Sequence, residues 1–267
     1  MSYRLPSPDR DQMIKLVNSN SHAFQLSSSP KDSIHQLGKV CTLFGDGLTD
    51  AQLLELILYR NFRSIVQNSF QPAPEKLETM KRISVDPGKF LDLDFQLLEI
   101  GSATKDFPFT QQTNRDSVIR EICEFALLKP ESARATKALQ TLEELLMNAQ
   151  VNAPALRPTN DKMLSYIKIE YTDRLLAISA FDCYGSLDCK KFLKKIEAGM
   201  ALGLGKSMNL GKGGAGLGSS LIFQNCDSLF LGVTPNRKTR VSVIMPYNVT
   251  ERKYEGLQRS IHVLEIK

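Results

Sequence analysis

The sequence contains no tryptophan, only three histidines and only five cysteines among its 267 residues. The cysteines are scattered along the chain, at Cys41, Cys123, Cys183, Cys189 and Cys226. No two of them have the C-x-x-C spacing of a zinc site, and their number is odd. The sequence therefore argues against a disulfide framework and a structural zinc ion, and it predicts free thiols that are mostly buried.

Long hydrophobic segments are also missing. The longest apolar runs, such as residues 175–180, are far shorter than the roughly 20 residues that span a bilayer. The N-terminus has no basic start followed by an apolar core. These absences predict a cytoplasmic protein that does not bind membranes. With 42% hydrophobic residues, the chain can still bury a substantial core.

Positive charge is in mild excess, with a net charge of +5. Proteins that bind nucleic acids usually combine a concentrated basic face with stacking aromatics. Aromatic residues make up only 7% of this chain, so we expect no nucleic-acid partner. The one local excess of lysine comprises Lys190, Lys191, Lys194, Lys195, Lys206 and Lys212. It fits either a solvated helix face or a positive rim beside a bound phosphate.

Hydrophobic periodicity divides the chain near residue 100. Residues 1–100 suggest a small α/β module, and residues 101–267 suggest a helical layer on a mixed sheet, that is, an α+β two-layer sandwich. No regular structure is expected at 101–113. Helices are predicted at 49–59, 75–82, 116–128, 131–151 and 219–226, with a lysine-rich helix ending at Ala198. Strands are predicted at 63–66, 165–171, 174–181, 228–233 and 239–245.

Half of the sixteen glycines lie in one short window, 199–218, which raises the question of a phosphate-binding loop. The tripeptide Gly205-Lys206-Ser207 matches the end of a Walker A motif, but Met200 stands where that motif needs its first glycine. The GGAGLG stretch at 213–218 instead leads into an apolar helix. A glycine turn before a helix presents free N–H groups and the positive end of a dipole to phosphate. Alone, it also fits an ordinary turn.

Other residues could complete a nucleotide site if the fold brought them to this turn. Glu144 and Asn148 lie four apart on one helix face, where a carboxylate could polarise a hydroxyl and an amide oxygen could ligate a metal ion. Asp182 leaves a strand toward Gly185, so its carboxylate could accept a base amino group while the glycine lets the ring approach. Thr239 lies on the last predicted strand. Each also has a structural interpretation, as a solvated helix face, a turn or a β-branched strand residue.

In this order, the stretch ELLMNA at 144–149, Asp182 with Gly185, GGAGLG and Thr239 resemble the N, G1 and G2 boxes of the GHKL ATPase superfamily. That superfamily includes histidine kinases, anti-sigma serine kinases, gyrases and MutL-type repair proteins. The resemblance covers about half of the chain, residues 114–248. NAQVNAP, FDCYGSLD and GGAGLGSSLIF look most like bacterial histidine-kinase-type ATPase domains, stand-alone or linked to a receiver. The resemblance implies a Bergerat-type ATP-binding fold in residues 101–267. It also implies an N-terminal regulatory module in residues 1–100 that is similar to a degenerate receiver domain.

The resemblance also implies a site for ATP and Mg²⁺. Asn148 would ligate Mg²⁺, Glu144 would be the catalytic or polarising carboxylate, and Asp182 would bind the adenine amino group. Gly185 would form the floor of the adenine site, and Thr239 would support the base. Residues 199–212 would form a mobile lid. The turn on the phosphate side would be formed by Gly214, Gly216 and Gly218. From their place in the lid, we infer that Lys206 and Lys212 could reach the phosphates.

The function implied is that of an ATP-binding bacterial signal-transduction protein that phosphorylates or switches a partner signalling protein. The sequence leaves open whether ATP is hydrolysed and whether the protein forms a homodimer. Differences from the family suggest an alternative, an inactive GHKL domain that acts as a partner-binding regulatory module. The G1 box is usually D-x-G-x-G, whereas here the glycine is the third residue after Asp182. Ser219 replaces a usual leucine, and Asn152 replaces a usual histidine or lysine.

Overall fold

The computed structural model describes residues 42–45, 47–60, 62–98, 101–128, 133–156, 164–202, 217–247 and 256–266. These residues form one mixed eight-stranded sheet in the order β1-β2-β8-β6-β7-β5-β4-β3. The strands are β1 (Thr42–Gly45), β2 (Ser64–Gln67), β3 (Ala103–Phe109), β4 (Ser165–Tyr171), β5 (Leu175–Asp182), β6 (Ser228–Thr234), β7 (Lys238–Pro246) and β8 (Ser260–Glu265). The helices are α1 (Asp50–Tyr59), α2 (Ala73–Val85), α3 (Arg115–Phe125), α4 (Ala133–Met147), α5 (Ala153–Leu156), α6 (Cys189–Leu202) and α7 (Leu217–Asn225).

One face of the sheet carries the helical layer. Strands β3, β4, β5, β7 and β6 pair antiparallel in succession, and β8 joins β6 in parallel. Helices α1, α3, α4, α6 and α7 bury their apolar sides in a single core against this face, and members of that core include Leu53, Ile122, Leu142, Ile196 and Ile222. The predicted α+β sandwich, with a helical layer on a mixed sheet, is confirmed. None of the described helices is long and apolar enough to cross a membrane.

The opposite face is partly covered as well. Helix α2, a 3-10 turn at Pro87–Leu91 and the residues up to 98 pack there in a second apolar cluster that includes Met80, Phe90 and Phe230. The buried ion pair of Lys76 and Asp227 also joins α2 to the sheet. Of the residues that cover this face, the sequence predicted only a helix at 75–82.

The sheet continues across the boundary expected near residue 100. Strand β1 pairs with β2, and β2 pairs antiparallel with β8 near the end of the chain. Strands β1 and β2 therefore belong to the same sheet as the strands after residue 101. Residues 1–41 of the expected N-terminal module lie outside the described residues.

Three strands were missed from the sequence, namely β1 (Thr42–Gly45), β3 and β8. Strand β3 lies where irregular structure was expected, because its exposed Lys105, Asp106 and Pro108 hide the buried Phe107 and Phe109. An edge strand tolerates proline because one side of its backbone needs no ladder hydrogen bond. Strand β8 was missed because its five buried residues include Ser260 and His262, which are polar.

Candidate functional site

The predicted base-binding residues meet at one end of the sheet. Asp182 ends β5 and lies directly opposite Thr239 on β7. The Asp182 side chain is buried, and its Oδ1 accepts hydrogen bonds from the backbone N–H groups of Tyr184 (2.9 Å) and Gly185 (3.2 Å). Both backbone donors use the same oxygen, so the turn after β5 leaves Oδ2 to other donors.

Burial controls the charge of this carboxyl group. Desolvation raises the pKa of Asp182 from 3.8 to about 6, although its two backbone hydrogen bonds and the Thr239 hydroxyl act in the opposite direction. Removing a carboxylate from water favours its neutral form. The carboxyl group is therefore mostly ionised at neutral pH, and this buried charge is well placed to accept a hydrogen bond from a ligand.

The Thr239 hydroxyl lies beside the Asp182 carboxylate but has no hydrogen bond of ordinary geometry within the described part of the chain. Residue Thr239 is buried, and its Oγ1 has no hydrogen-bond partner of ordinary geometry among the described residues, although it lies close enough to Asp182 to lower that pKa. A buried polar atom without a partner is costly, and such atoms in native proteins call for an explanation such as a bound ligand or water. The pair thus fits a polar ligand at the ends of β5 and β7.

Gly185 has a structural role that the sequence did not reveal. Its φ of +57° favours glycine, and a Cβ there would collide with the backbone of the β6–β7 turn, including Asn236 N at 2.8 Å. The Asn236 N–H also donates a hydrogen bond to Gly185 O (3.0 Å). The glycine therefore lets the turn after β5 pack against the β6–β7 turn, whether or not a base approaches it.

The second part of the site joins α4 to the start of α7. A Cβ on Gly218 would overlap Glu144 Oε2 and would lie 2.5 Å from Cδ and 3.1 Å from Oε1. The Glu144 carboxylate therefore lies directly on the backbone of Gly218, the second residue of α7. Burial, followed by the charge of Glu143, raises the pKa of Glu144. The structure thus brings together two residues that the sequence separates by more than seventy positions.

Asn148 lies where α4 changes its hydrogen-bonding pattern. Helix α4 ends at Met147, and Asn148–Asn152 form one π-helical turn in a stretch expected to be ordinary helix. The Asn152 side-chain amide donates to Asn148 Oδ1 at 2.8 Å. Single π-helical turns frequently occur at functional sites. Asn152, which the sequence marked only as a departure from a family pattern, is therefore a direct neighbour of the predicted metal ligand.

The π-helical turn is tied to both neighbouring loops. Gln150 Nε2 donates to the carbonyl oxygens of Thr110 and Thr113, at 2.8 Å each, and so holds the β3–α3 loop. Beyond the turn, Ala153 O accepts from Ser186 Oγ at 3.3 Å, and the turn itself contacts β5. The end of the π-helical turn is therefore held near the loop that follows Asp182.

Four predicted site residues, Lys206, Lys212, Gly214 and Gly216, lie outside the described residues. Residues 199–202 of the predicted lid form the end of α6, where Gly199 lies against Ser220 of α7. No group of three or more His, Cys, Asp or Glu that could hold a metal ion occurs in the described ranges. A magnesium ion that takes most of its ligands from nucleotide phosphates and water needs no such cluster, so the single amide of Asn148 is compatible with one.

No family model matches the chain, and no curated protein is significantly similar to it. The resemblance to GHKL proteins therefore stays a prediction from the motif residues.

Proposed function

We propose that this chain is a cytoplasmic, ATP-binding protein of bacterial signal transduction, with a GHKL-type ATPase domain that phosphorylates or switches a partner protein. The observation that carries the proposal is the run of α4 and its π-helical turn. Glu144 on this run contacts Gly218 at the start of α7, and the turn containing Asn148 contacts β5, the strand that ends at Asp182. This helical segment therefore connects the proposed phosphate-binding end of the site to the proposed base-binding end.

The base end matches an adenine amino group. The buried Asp182 carboxylate would accept the N–H of the amino group, and the Thr239 hydroxyl would gain the partner it lacks among the described residues. A hydrogen bond to a charged group contributes about 1.5–3 kcal/mol, so this contact alone gives substantial affinity and selects for a base with an amino group. The carboxylate would thereby set the base specificity of the site.

The phosphate end matches a nucleotide with a bound cation. The N–H groups in the first turn of α7, which includes Gly218, would donate hydrogen bonds to the phosphates. Asn148 Oδ1 would hold Mg²⁺, which supplies charge neutralisation for phosphoryl transfer when bound. The protein's own part in such a reaction is to position the phosphates and to orient an acceptor hydroxyl or water through Glu144.

Isothermal titration calorimetry with ATP, with and without MgCl₂, tests the proposal. We expect Asp182→Asn to weaken binding by roughly ten- to hundredfold, because a charged acceptor is lost. Asn148→Ala should remove most of the enhancement by Mg²⁺. Gln140→Ala, on the exposed side of α4, is a matched control that should bind like the unmodified protein. Absence of binding at millimolar ATP would contradict the proposal.

A second candidate is an inactive GHKL-type domain that acts only as a partner-binding module. It is favoured by two internal contacts that occupy the atoms a nucleotide would use, Asn152 on Asn148 Oδ1 and Glu144 on Gly218. Thermal melts distinguish the two functions. An unchanged melting temperature at millimolar Mg·ATP favours the inactive module, whereas a rise that depends on Mg·ATP concentration favours the ATP-binding protein.

A further inference from the structure

A buried side-chain amide belongs to the π-helical turn that carries Asn148. Gln150 is only 5% exposed, and its Nε2 atom donates to the carbonyl oxygens of Thr110 and Thr113 at 2.8 Å each. The Gln111 carbonyl oxygen lies 3.5 Å from the same nitrogen. A side-chain amide nitrogen has only two N–H groups, so these carbonyl oxygens use its whole donor capacity. Gln150 therefore fixes the β3–α3 loop and the π-helical turn relative to each other.

The π-helical turn is what directs Gln150 toward this loop. Buried positions in this part of the chain recur every four residues, in the pairs Leu145 and Leu146, Ala149 and Gln150, and Ala153 and Pro154. This repeat is longer than the roughly 3.6 residues of an α-helical turn. A π-helical turn accommodates it because its hydrogen bonds span one more residue, as the bond from Ala153 N–H to Asn148 O does here. The direction of the Asn148 side chain therefore depends on the same turn that Gln150 holds in place.

The β3–α3 loop also reaches the turn after β5. Gln111 in this loop donates from its Nε2 to the hydroxyl oxygen of Tyr184 at 3.0 Å. Tyr184 is buried, and its backbone N–H is one of the two donors to Asp182 Oδ1. From the other side, Ser186 Oγ donates to Ala153 O, directly after the π-helical turn. The π-helical turn, the β3–α3 loop and the turn after β5 are thus joined in a closed ring of contacts.

We infer that Gln150 is a positioning residue of the candidate site: its buried amide fixes the turn that carries Asn148 and, through Gln111, the turn that holds Asp182. This inference rests on the proposed ATP-binding function and adds to it a residue that touches neither nucleotide nor cation. Replacing a side chain that orients a metal ligand typically lowers metal affinity by about 10- to 100-fold. Gln150 acts through the backbone of the turn, so we expect a loss at the lower end of this range.

Three substitutions separate the two arms of this ring. Gln150→Met keeps the length of the side chain and removes the donor, so it releases both arms. Gln111→Ala removes only the contact with Tyr184, at an exposed position where a substitution does not threaten folding. Gln67→Met is the matched control, because Gln67 is also buried and its Nε2 also donates to a backbone carbonyl oxygen, that of Arg259 at 2.7 Å. Gln67 ends β2, which β8 and β6 separate from β7 and β5.

Calorimetry measures dissociation constants for adenosine, for ATP in EDTA and for ATP with MgCl₂, in the unmodified protein and the three variants, at a temperature where circular dichroism shows each to be folded. We expect Gln150→Met to reduce the enhancement of ATP binding by Mg²⁺ about tenfold, because Asn148 loses its fixed direction. Gln111→Ala should weaken binding of adenosine and of both forms of ATP equally, by about two- to tenfold for one hydrogen bond, and should leave the enhancement unchanged. Gln67→Met should lower the melting temperature without changing any of these constants.

Three results would overturn the inference. The first is an enhancement by Mg²⁺ that is unchanged in Gln150→Met. The second is an equal loss of the enhancement in Gln67→Met, which would indicate a general effect of losing a buried amide. The third is unchanged adenosine binding in Gln111→Ala, which would disconnect the β3–α3 loop from the base end. If the unmodified protein does not bind ATP, the proposed function fails and takes this inference with it, a result distinct from the other three.

Discussion

Replacing Asp182 with asparagine should stabilise the protein at neutral pH while it weakens the proposed base site. Residue Asp182 is only 7% exposed, and burial raises the pKa of its carboxyl group from 3.8 to about 6. Because the folded-state pKa is the higher one, the folded protein holds a proton between these pH values that the unfolded chain has released. The contribution of Asp182 to stability is therefore full below pH 3.8 and is lost as pH rises through about 6.

The magnitude follows from the difference between the two pKa values. About two pH units at 1.36 kcal/mol each correspond to about 3 kcal/mol of stability lost between acid and neutral pH. Asparagine has nearly the same shape and keeps a side-chain oxygen for the N–H groups of Tyr184 and Gly185, but it carries no charge. We therefore expect Asp182→Asn to be more stable than the unmodified protein by up to about 3 kcal/mol at pH 7.

Urea denaturation from pH 4 to pH 7.5 measures the difference in unfolding free energy between the two proteins. Subtracting one curve from the other cancels the titration of groups that they share. The difference should be small at pH 4 and should grow toward pH 7. Asp94→Asn, on an exposed segment, controls for the loss of one surface carboxylate. A difference that does not change with pH, or a variant that is less stable at pH 7, would refute the reasoning.

Two further predictions concern the packing around Gly185 and the buried ion pair on the face of the sheet opposite the helical layer. Gly185→Ala should cost more than about 3 kcal/mol, because left-handed backbone strain adds to a collision with the backbone of the β6–β7 turn. Gly101→Ala, with φ +105° but open space, should cost only about 1–2 kcal/mol in chemical denaturation, and equal costs would contradict this distinction. Asp227→Ala should cost about 3–5 kcal/mol, because it leaves the Lys76 ammonium buried without its partner. The double variant Lys76→Met/Asp227→Leu should cost less in the same assay, and an equal or greater cost would count against buried charge as the cause.

The sequence predicted the elements with strong local patterns. Alternation in β4 and apolar periodicity in α4 are properties of contiguous residues, so they can be recognised without the fold. Strand β8 is different, because the polar residues Ser260 and His262 interrupt its apolar pattern. His262 lies inside the sheet, where its Nδ1 and Ser64 Oγ are 2.7 Å apart, and burial lowers its pKa to about 3. That environment is created by β2, about two hundred residues earlier, and no local pattern records it.

The candidate site was likewise predicted only where the residues themselves carry the signal. The order of motifs suggested that Asp182 and Thr239 could belong to one site, and the β5–β7 register places them opposite each other. The bond between Asn152 and Asn148 depends on a π-helical turn, which residue types alone do not specify. The contact of Glu144 with Gly218 depends on how closely α4 approaches α7. The sequence therefore predicted which residues could form the site. It did not predict that other protein groups contact two of them, because these contacts depend on the packing of the helices.

The register that pairs Asp182 with Thr239 is reinforced from the opposite face of the sheet. The next residue, Arg240, is fully buried and points the other way, because successive strand residues face opposite sides. Its guanidinium donates to Phe90 O (2.8 Å) and Ser179 Oγ (3.1 Å). A slip of one residue would move this charge into the apolar core of the helical layer and would remove Thr239 from the site. Because an unpaired buried charge is strongly destabilising, the Arg240 network selects the one register in which the candidate site is assembled.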